Sequence, residues 1–246
     1  MKRNIRFYFM LLTGLILINA DGCKKDSGPE VVLDKDGNEY STIIIGTQKW
    51  LAENLKTTKY NDGTQISCVT DNTEWSGNTT GAYCWYDNNV TYKDPYGALY
   101  NWYAVNTGKL CPAGWHVPTD EEWTTMEDYL IAHNFNYDGT TSGHKTGKSL
   151  ASLTLWRSTT TTGAIGNSDF PEYRNKSGFN AFPGGYRFDF NGTFNLIEIS
   201  GYWWTATEPE YSPVSGFSRS LSFNSQLLGI DFFPKGYGLS VRCVKD

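Results

Sequence analysis

The stretch Cys111-Pro-Ala-Gly-Trp-His-Val-Pro-Thr-Asp-Glu-Glu-Trp123 points to a fold more clearly than to a reaction, because it holds a cysteine, two prolines, two tryptophans and a helix-start signal. The Thr119 hydroxyl can accept a hydrogen bond from the Glu122 backbone N–H, while the Glu122 side chain accepts one from the Thr119 N–H. This capping box, entered through Pro118, predicts a helix that begins at about Asp120.

The residues after this start signal follow a helical spacing. Trp123, Met126 and Leu130 are separated by steps of three and four residues and form one apolar stripe. The acidic residues of the same segment are predicted to lie on or near the solvent side, namely Asp120, Glu121 and Glu127. The sequence therefore predicts an amphipathic helix.

The first 22 residues have the layout of an export signal. Three basic residues precede an apolar stretch, residues 7–18, that is too short to span a bilayer comfortably. The segment ends in Ala20-Asp-Gly-Cys23, which resembles the lipobox of bacterial lipoproteins, although Asp21 departs from the usual small residue. The resemblance implies that residues 1–22 are a signal peptide and that Cys23 is lipidated. Ordinary signal cleavage beside a chance cysteine is the alternative.

Residues 23–33 are predicted to be the lipidated cysteine and a polar tether, because they show no apolar periodicity. The charged start of this tether resembles the surface-export signal of Bacteroidota lipoproteins. That resemblance implies an outer-membrane lipoprotein on the cell surface, with a membrane contact made through the lipid. An anchor that faces the periplasm is the alternative.

Residues 34–246 are predicted to form one domain, because they contain no linker, low-complexity tract or repeat of fixed period. The chain has 9 Trp, 16 Tyr, 13 Phe and 25 Gly, which predicts a core of large rings connected by many turns. The net charge of −5 provides no basic stripe, so nucleic-acid binding is not expected. The oligomeric state cannot be read from the sequence.

Four cysteines remain after Cys23 in a chain that is predicted to be exported, and oxidising conditions favour their pairing. Four cysteines allow three connectivities. Cys68 and Cys84 lie close in sequence and flank a loop rich in Gly, Asn and Thr, so we expect them to pair with each other and Cys111 to pair with Cys243.

The order of segments predicts an α+β fold. A β-rich first strand follows the turn at residues 36–38, and residues 96–105 are predicted to form a short first helix that ends before Gly108. Rings alternate with polar residues around Asn191-Gly192, which indicates a hairpin over residues 182–194. The first strand covers residues 39–45, and residues 50–55 are predicted to continue it beyond Gly46. Further short strands are predicted at residues 202–206, 218–223 and 239–244.

Seven motifs occur in one order along residues 34–246. Besides the opening stretch they are Asp36-Gly-Asn-Glu-Tyr40, Gly46-Thr-Gln-Lys-Trp-Leu-Ala-Glu-Asn-Leu55, Tyr96-Gly-Ala-Leu-Tyr-Asn-Trp-Tyr-Ala-Val105, Pro183-Gly-Gly-Tyr-Arg187, Gly201-Tyr-Trp-Trp-Thr-Ala-Thr-Glu208 and Ser240-Val-Arg-Cys-Val244. Together they resemble the Fibrobacter succinogenes major paralogous domain family, which consists mostly of surface or exported proteins of uncertain activity. This family is distantly similar to the formylglycine-generating enzymes and to C-type lectin-like domains. The resemblance implies a C-type lectin-like fold, with two short helices, a mostly antiparallel sheet and long loops.

The resemblance does not extend to the catalytic residues of formylglycine-generating enzymes. Those enzymes use closely spaced cysteines upstream of the terminal one, where a thiolate can hold copper. This chain has no cysteine between Cys111 and Cys243. His116 is predicted to be packed and hydrogen-bonded, and His133 and His144 to be solvated in a polar loop. We therefore expect no enzyme activity and no cofactor.

A calcium site is weighed separately. Glu208-Pro-Glu210 resembles the segment with which C-type lectins hold calcium and sugar hydroxyls. Those lectins add a Trp-Asn-Asp segment, whose nearest counterpart here is Phe223-Asn224-Ser225, which lacks the second carboxylate. Glu208, Glu210 and Asn224 are the candidate ligands, and the missing carboxylate predicts that no metal is bound.

Long polar loops are where binding residues usually lie. Five rings in these loops are predicted to be exposed and to bind ligand, namely Trp75, Tyr92, Trp156, Tyr173 and Tyr211. Flat aromatic faces stack on sugar rings, so the leading hypothesis is a lipid-anchored envelope module for adhesion or binding, with a glycan or envelope polymer as partner. The alternatives are that these rings cover the core, that the protein is an enzyme on the formylglycine-generating scaffold, or that it is a structural envelope or fimbria-associated protein.

Overall fold

The structure is a computed structural model that describes Met1 and residues 31–246. The predicted signal peptide, Cys23 and the tether up to residue 30 lie outside the described residues. Within the described residues, no helix has the length and apolar character needed to cross a bilayer.

The described chain consists of short strands and five short or medium helices. The strands are β1 Val32–Leu33, β2 Glu39–Tyr40, β3 Thr42–Ile45, β4 Gln48–Leu51, β5 Ser67–Cys68, β6 Ala82–Cys84, β7 Leu99–Tyr100, β8 Trp115–His116, β9 Gly184–Arg187, β10 Phe194–Ile197, β11 Ser200–Trp204, β12 Ser215–Ser222, β13 Gly229–Pro234 and β14 Val244–Lys245. The helices are α1 Asn72–Ser76, α2 Lys93–Tyr96, α3 Trp102–Val105, α4 Asp120–Ala132 and α5 Gly147–Leu150.

The strands form four sheets in the described residues, and most neighbouring strands are antiparallel. The largest sheet has the order β10-β9-β11-β12-β13, and a second has the order β3-β4-β14-β8. Smaller sheets contain β5-β6-β7 and β1-β2. Parallel pairing occurs between β5 and β6 and between β9 and β11. The predicted α+β class is confirmed.

Helix α4 begins where the opening stretch predicts. Thr119 and Glu122 form both hydrogen bonds of the capping box, and the helix starts at Asp120. The apolar stripe of Trp123, Met126 and Leu130 is buried, as expected from its spacing. α4 packs against β12 and β3.

Glu127, on the same helix, was predicted to lie on or near the solvent side, and that prediction is wrong. Its side chain is only 5% exposed, because the loop that follows α4 folds back over it. There its Oε1 accepts a hydrogen bond from the Thr146 hydroxyl at 3.2 Å and lies 3.3 Å from His144 Nδ1. Burial raises the pKa of Glu127, although His144 and Thr146 oppose the shift.

The predicted first helix over residues 96–105 is only partly formed. Tyr96 ends α2, Leu99 and Tyr100 belong to β7, and the helix over the later residues is α3. Asn101 is extended and its side chain accepts the Ala104 backbone N–H, so it caps a new helix instead of continuing an earlier one. Hydrogen bonds from tertiary neighbours hold the preceding residues as a strand, such as that from Tyr100 N–H to Leu239 O.

The hairpin predictions have mixed outcomes. β9 and β10 pair as predicted, with Phe194 opposite Arg187. Residues 50–55 do not continue the first strand, because the chain reverses at Gly46 and β4 returns antiparallel to β3. The predicted strand over residues 239–244 is largely irregular, and only β14 and isolated bridges at Leu239 and Ser240 form there.

The disulfide prediction is right for one pair and wrong for the other. Cys111 and Cys243 are joined across a sequence separation of 132 residues. Cys68 and Cys84 are free thiols. Cys68 lies opposite Tyr83 in the β5–β6 register, so Cys84, one residue further along, points to the other face of the sheet. The exposed Cys68 thiol and the buried Cys84 thiol therefore cannot pair without remaking the strand pairing.

Rings dominate the interior, as the composition predicts. Trp123 lies 5.1 Å from Trp50 and 5.4 Å from Phe179, measured between ring centroids. A second buried cluster surrounds the disulfide, and a third surrounds Trp75.

Candidate functional site

The five predicted ligand-binding rings do not form one surface. Trp75 is buried at 1% exposure, with the Arg187 guanidinium 4.4 Å from its ring, so its prediction as an exposed ring is wrong. Tyr92 is half-buried between Tyr86 and Tyr96. Within residues 31–246, no ring contact joins two of the five predicted side chains.

The other three predicted rings remain at least partly accessible. Tyr173 is half-buried, with Lys176 Nζ 4.4 Å from its ring centroid. Tyr211 is 70% exposed and packs edge-on against Phe232 at 6.0 Å. Trp156 is half-buried and lines a cleft of about 410 Å³. The loop rings are thus separate features.

A continuous set of rings does lie on the large sheet, at positions that the loop-based argument missed. We call it the ring row, and its members are Tyr186, Phe188, Phe190, Tyr202, Phe233 and Tyr237. The centroids of neighbouring rings are 4.8 to 6.4 Å apart along the row. Phe190 is 81% exposed and the other five are half-buried.

The strand register explains why these rings share one face. Gly185 pairs with Gly201, which places the next residues, Tyr186 and Tyr202, on the same side of the sheet. Residues of the opposite face alternate with them, and α4 covers that face at Trp203 and Arg219, while its edge on β13 stays exposed at Ile230 and Phe232. The rings therefore share the face that α4 does not cover.

Signals for the ring row were present in the sequence. Tyr186, Phe188 and Phe190 alternate with polar residues, which is the pattern that predicts the β9–β10 hairpin. The same alternation places these three rings on one side of the chain. The contributions of Tyr202, Phe233 and Tyr237 could not be found this way, because they come from distant segments that only strand pairing brings close.

Polar groups border the ring row. Asp231 accepts a hydrogen bond from the Ser220 hydroxyl at 2.5 Å, and both residues lie on the ring-row face by their register with Tyr202. Burial raises the pKa of Tyr202, and the Asp231 charge adds to the shift. Burial, with the charge of Asp189 adding to it, raises the pKa of Tyr237 to about 12. The row therefore offers apolar ring surface beside hydroxyl and carboxylate hydrogen-bonding groups.

The candidate calcium ligands are not gathered into a site. The Glu208 carboxylate forms an ion pair with Lys235 at 2.9 Å. The Asn224 side-chain oxygen accepts a hydrogen bond from the Ser222 hydroxyl at 3.0 Å. Among the described residues, no three His, Cys, Asp or Glu side chains are placed to hold a metal ion.

His116 lies between two carboxylates. Its Nδ1 is 2.6 Å from Asp246 Oδ1 and its Nε2 is 2.9 Å from Glu122 Oε1. The side chain is hydrogen-bonded, as predicted, but it is 37% exposed rather than fully packed. Burial lowers the pKa of His116, but the hydrogen bonds to Asp246 and Glu122 outweigh burial and raise it above 6.5. His116 also borders a small, mostly apolar cleft of about 140 Å³ beside Cys111.

The raised pKa of His116 makes part of the stability pH-dependent. This contribution is fully present below about pH 6.5 and is lost as the pH rises through the folded-state pKa. We expect His116→Gln to destabilise the protein more at acidic than at alkaline pH, by no more than about 1 kcal/mol because the pair is partly exposed. Urea unfolding of the wild-type chain and of His116→Gln at acidic and alkaline pH measures this difference in stability, with His133→Gln as control. A constant difference at all pH values would contradict the ion-pair assignment.

The two other histidines differ from each other. His133 is the C-cap residue that follows α4, and its ring stacks on Tyr129 with the ring centroids 3.9 Å apart. His144 is 64% exposed, in agreement with the predicted solvation, but it also contacts the buried Glu127 carboxylate.

The molecule is thus an α+β domain with a disulfide-linked C-terminal segment and one sheet face of accessible rings. The family model of the Fibrobacter succinogenes major domain matches residues 43–245, and the chain belongs to this family. Searches of curated proteins and of solved structures each find no match.

Proposed function

We propose that this protein is a lipid-anchored envelope module that binds glycan through the ring row, without catalysing a reaction. The observation that supports this proposal is the row of six contacting rings on one face of the large sheet, which Asp231 and Ser220 border. Contiguous exposed apolar surface rimmed by polar groups is typical of a binding site.

The chemistry of a sugar suits such a surface. The C–H faces of a pyranose are apolar and pack on aromatic rings, while its hydroxyls need hydrogen-bond partners at the edge. Asp231 can accept such bonds, and the Ser220 hydroxyl, which already donates to Asp231, can accept them. Neighbouring rings hold each other by edge-on and tilted contacts, so little side-chain freedom remains to be lost when a ligand binds.

The surroundings of His116 support an enzyme function less well than the ring row supports ligand binding. Both ring nitrogens of His116 already contact carboxylates, which leaves neither free for proton transfer to a substrate. The cleft beside it, at about 140 Å³, is smaller than the usual ligand site of about 300–1,000 Å³.

Two further parts of the proposal rest on the sequence. The export signal and Cys23 support an outer-membrane lipoprotein on the cell surface, which mass spectrometry of residue 23 in the native protein would test. A C-type lectin-like scaffold is supported by the family resemblance and by the α+β order of elements. An experimental structure tests the scaffold.

Adjacent residues on β13 provide a matched test of glycan binding. Phe233 belongs to the ring row, whereas Phe232 points to the opposite face and is 54% exposed. We expect Phe233→Ala combined with Tyr202→Ala to weaken polysaccharide binding at least tenfold, about 1.4 kcal/mol. Phe232→Ala should leave binding unchanged.

The measurement is retention of the full chain in gels that contain a panel of soluble polysaccharides, with urea unfolding of each variant to verify folding. Equal loss in Phe232→Ala and in the ring-row variant would contradict the assignment of the site. Absence of wild-type binding to every polysaccharide would contradict the proposed function.

A further inference from the structure

A second cleft lies at a different place, where the loop around Trp156 meets the β10–β11 turn. It has a volume of about 410 Å³, within the usual range of about 300–1,000 Å³ for small-molecule sites. Its walls are formed by Leu155, Trp156, Arg157, Ile197, Glu198 and Ile199. The ring row contributes no residue to these walls.

The indole of Trp156 is a fixed wall of this cleft. Its Nε1–H donates to Ser152 Oγ at 3.1 Å and to Ala181 O at 3.2 Å. These bonds satisfy the polar end of the ring. The ring packs partly against the buried cluster that contains Trp123. The indole is therefore available as apolar surface for a ligand, without needing to reorient.

Two opposite charges line the same cleft and do not neutralise each other. The Arg157 backbone N–H donates to Glu198 O at 2.8 Å, so the two residues are neighbours. Nevertheless, within residues 31–246, neither the Arg157 guanidinium nor the Glu198 carboxylate forms an ion pair. The guanidinium instead lies 5.5 Å from the Phe223 ring centroid. Both side chains are exposed.

The backbone on both sides of the cleft is in an uncommon conformation. Leu155 has φ +71° and Glu198 has φ +63°, in the left-handed region that residues other than glycine seldom adopt. Such conformations are concentrated at ligand-binding and active sites, where the surrounding structure maintains them. Leu155 immediately precedes Trp156, and Glu198 is itself a wall residue. These two backbone conformations therefore set the directions in which the Trp156 and Glu198 side chains leave the backbone.

We propose that this cleft binds a small zwitterion with an apolar body, namely a free α-amino acid or dipeptide. The ligand carboxylate pairs with the Arg157 guanidinium, which can hold it by two parallel hydrogen bonds. The ligand ammonium pairs with the Glu198 carboxylate, and the apolar side chain packs on Trp156. A ligand with only one charge leaves the other protein charge without a partner. This inference does not depend on glycan binding by the ring row.

The test is calorimetric titration of the full chain with L-leucine and leucyl-leucine, beside N-acetyl-leucine and leucinamide. N-acetyl-leucine lacks the ammonium and leucinamide lacks the carboxylate. We expect the free amino acid or dipeptide to bind at least tenfold more tightly than either blocked compound. Trp156→Leu should weaken all of them, because it removes the flat indole face on which the side chain of each compound packs.

Charge variants separate the two halves of the site. Arg157→Gln should weaken leucine binding at least fivefold and leave leucinamide binding unchanged, because leucinamide has no carboxylate for Arg157 to hold. Glu198→Gln should likewise weaken leucine binding and leave N-acetyl-leucine binding unchanged. Lys35→Gln and Glu121→Gln alter exposed charges elsewhere and serve as matched controls.

Three results would overturn the proposal. One is that blocked compounds bind as tightly as the free ones. Another is that each charge variant weakens all four compounds equally, which would indicate a general change of the cleft. The third is that none of the four compounds binds to the wild-type chain at millimolar concentration.

Discussion

Replacing Trp123 by alanine is expected to lower the free energy of unfolding by about 3–5 kcal/mol. The side chain is fully buried between Trp50, Phe179 and Trp203, with ring centroids 5.1, 5.4 and 6.3 Å away. Alanine would leave a cavity that the three large surrounding rings cannot collapse to fill, so both the transfer energy and the packing contacts are lost. Urea unfolding at equilibrium measures the change.

Two further variants sharpen this prediction. Thr125→Ala, at an exposed position of the same helix, should change stability by less than about 0.5 kcal/mol. Trp123→Phe should cost less than alanine, because it keeps a ring and also removes the Nε1–H, a buried donor without a protein partner. A near-neutral Trp123→Ala would mean that this helix face does not stabilise the core.

Removing the disulfide by Cys111→Ser with Cys243→Ser is expected to cost about 5 kcal/mol. The bridge closes a loop with a sequence separation of 132 residues, and in the chain-entropy model a loop of that length restricts the unfolded chain by about this amount. Both sulfurs are also buried, at residues 2% and 0% exposed, so the serine hydroxyls would need new partners.

The free cysteines provide the control for this experiment. Cys68→Ser should be nearly neutral, because Cys68 is exposed and unpaired. Urea unfolding of the wild-type chain with and without reductant should reproduce the loss seen in the double serine variant. A large loss in Cys68→Ser, or a stable double variant, would contradict the assigned pairing.

The features that the sequence predicted correctly are mostly local. The capping box at Thr119 and Glu122 acts within three residues, so the start of α4 could be predicted before its surroundings were known. Tertiary contacts overrode the local pattern at Leu99 and Tyr100, where spacing predicts a helix but β6 and Leu239 hold the two residues as a strand.

The candidate sites were less predictable than the fold. The sequence around Trp75 has the polar composition of an exposed loop. The indole ring is nevertheless covered by the guanidinium of Arg187, which lies more than a hundred residues away in the sequence. Trp156 was predicted to be a binding ring, and it does line a cleft. Glu198 lines the same cleft only because the β10–β11 turn brings it next to Trp156. No spacing rule connects residues at such separations.

The sequence alone predicts the helix start at Asp120, the buried stripe of α4, the α+β class and the family, because capping chemistry and residue spacing act over a few positions. Which rings face outward and which cysteines meet depends on the tertiary structure. The ring row needs the four strands β9, β11, β12 and β13 in register, and Cys68 and Cys84 are kept apart by the alternation of side chains across β5 and β6. Burial depends on neighbours from distant parts of the chain, and strand pairing chooses those neighbours.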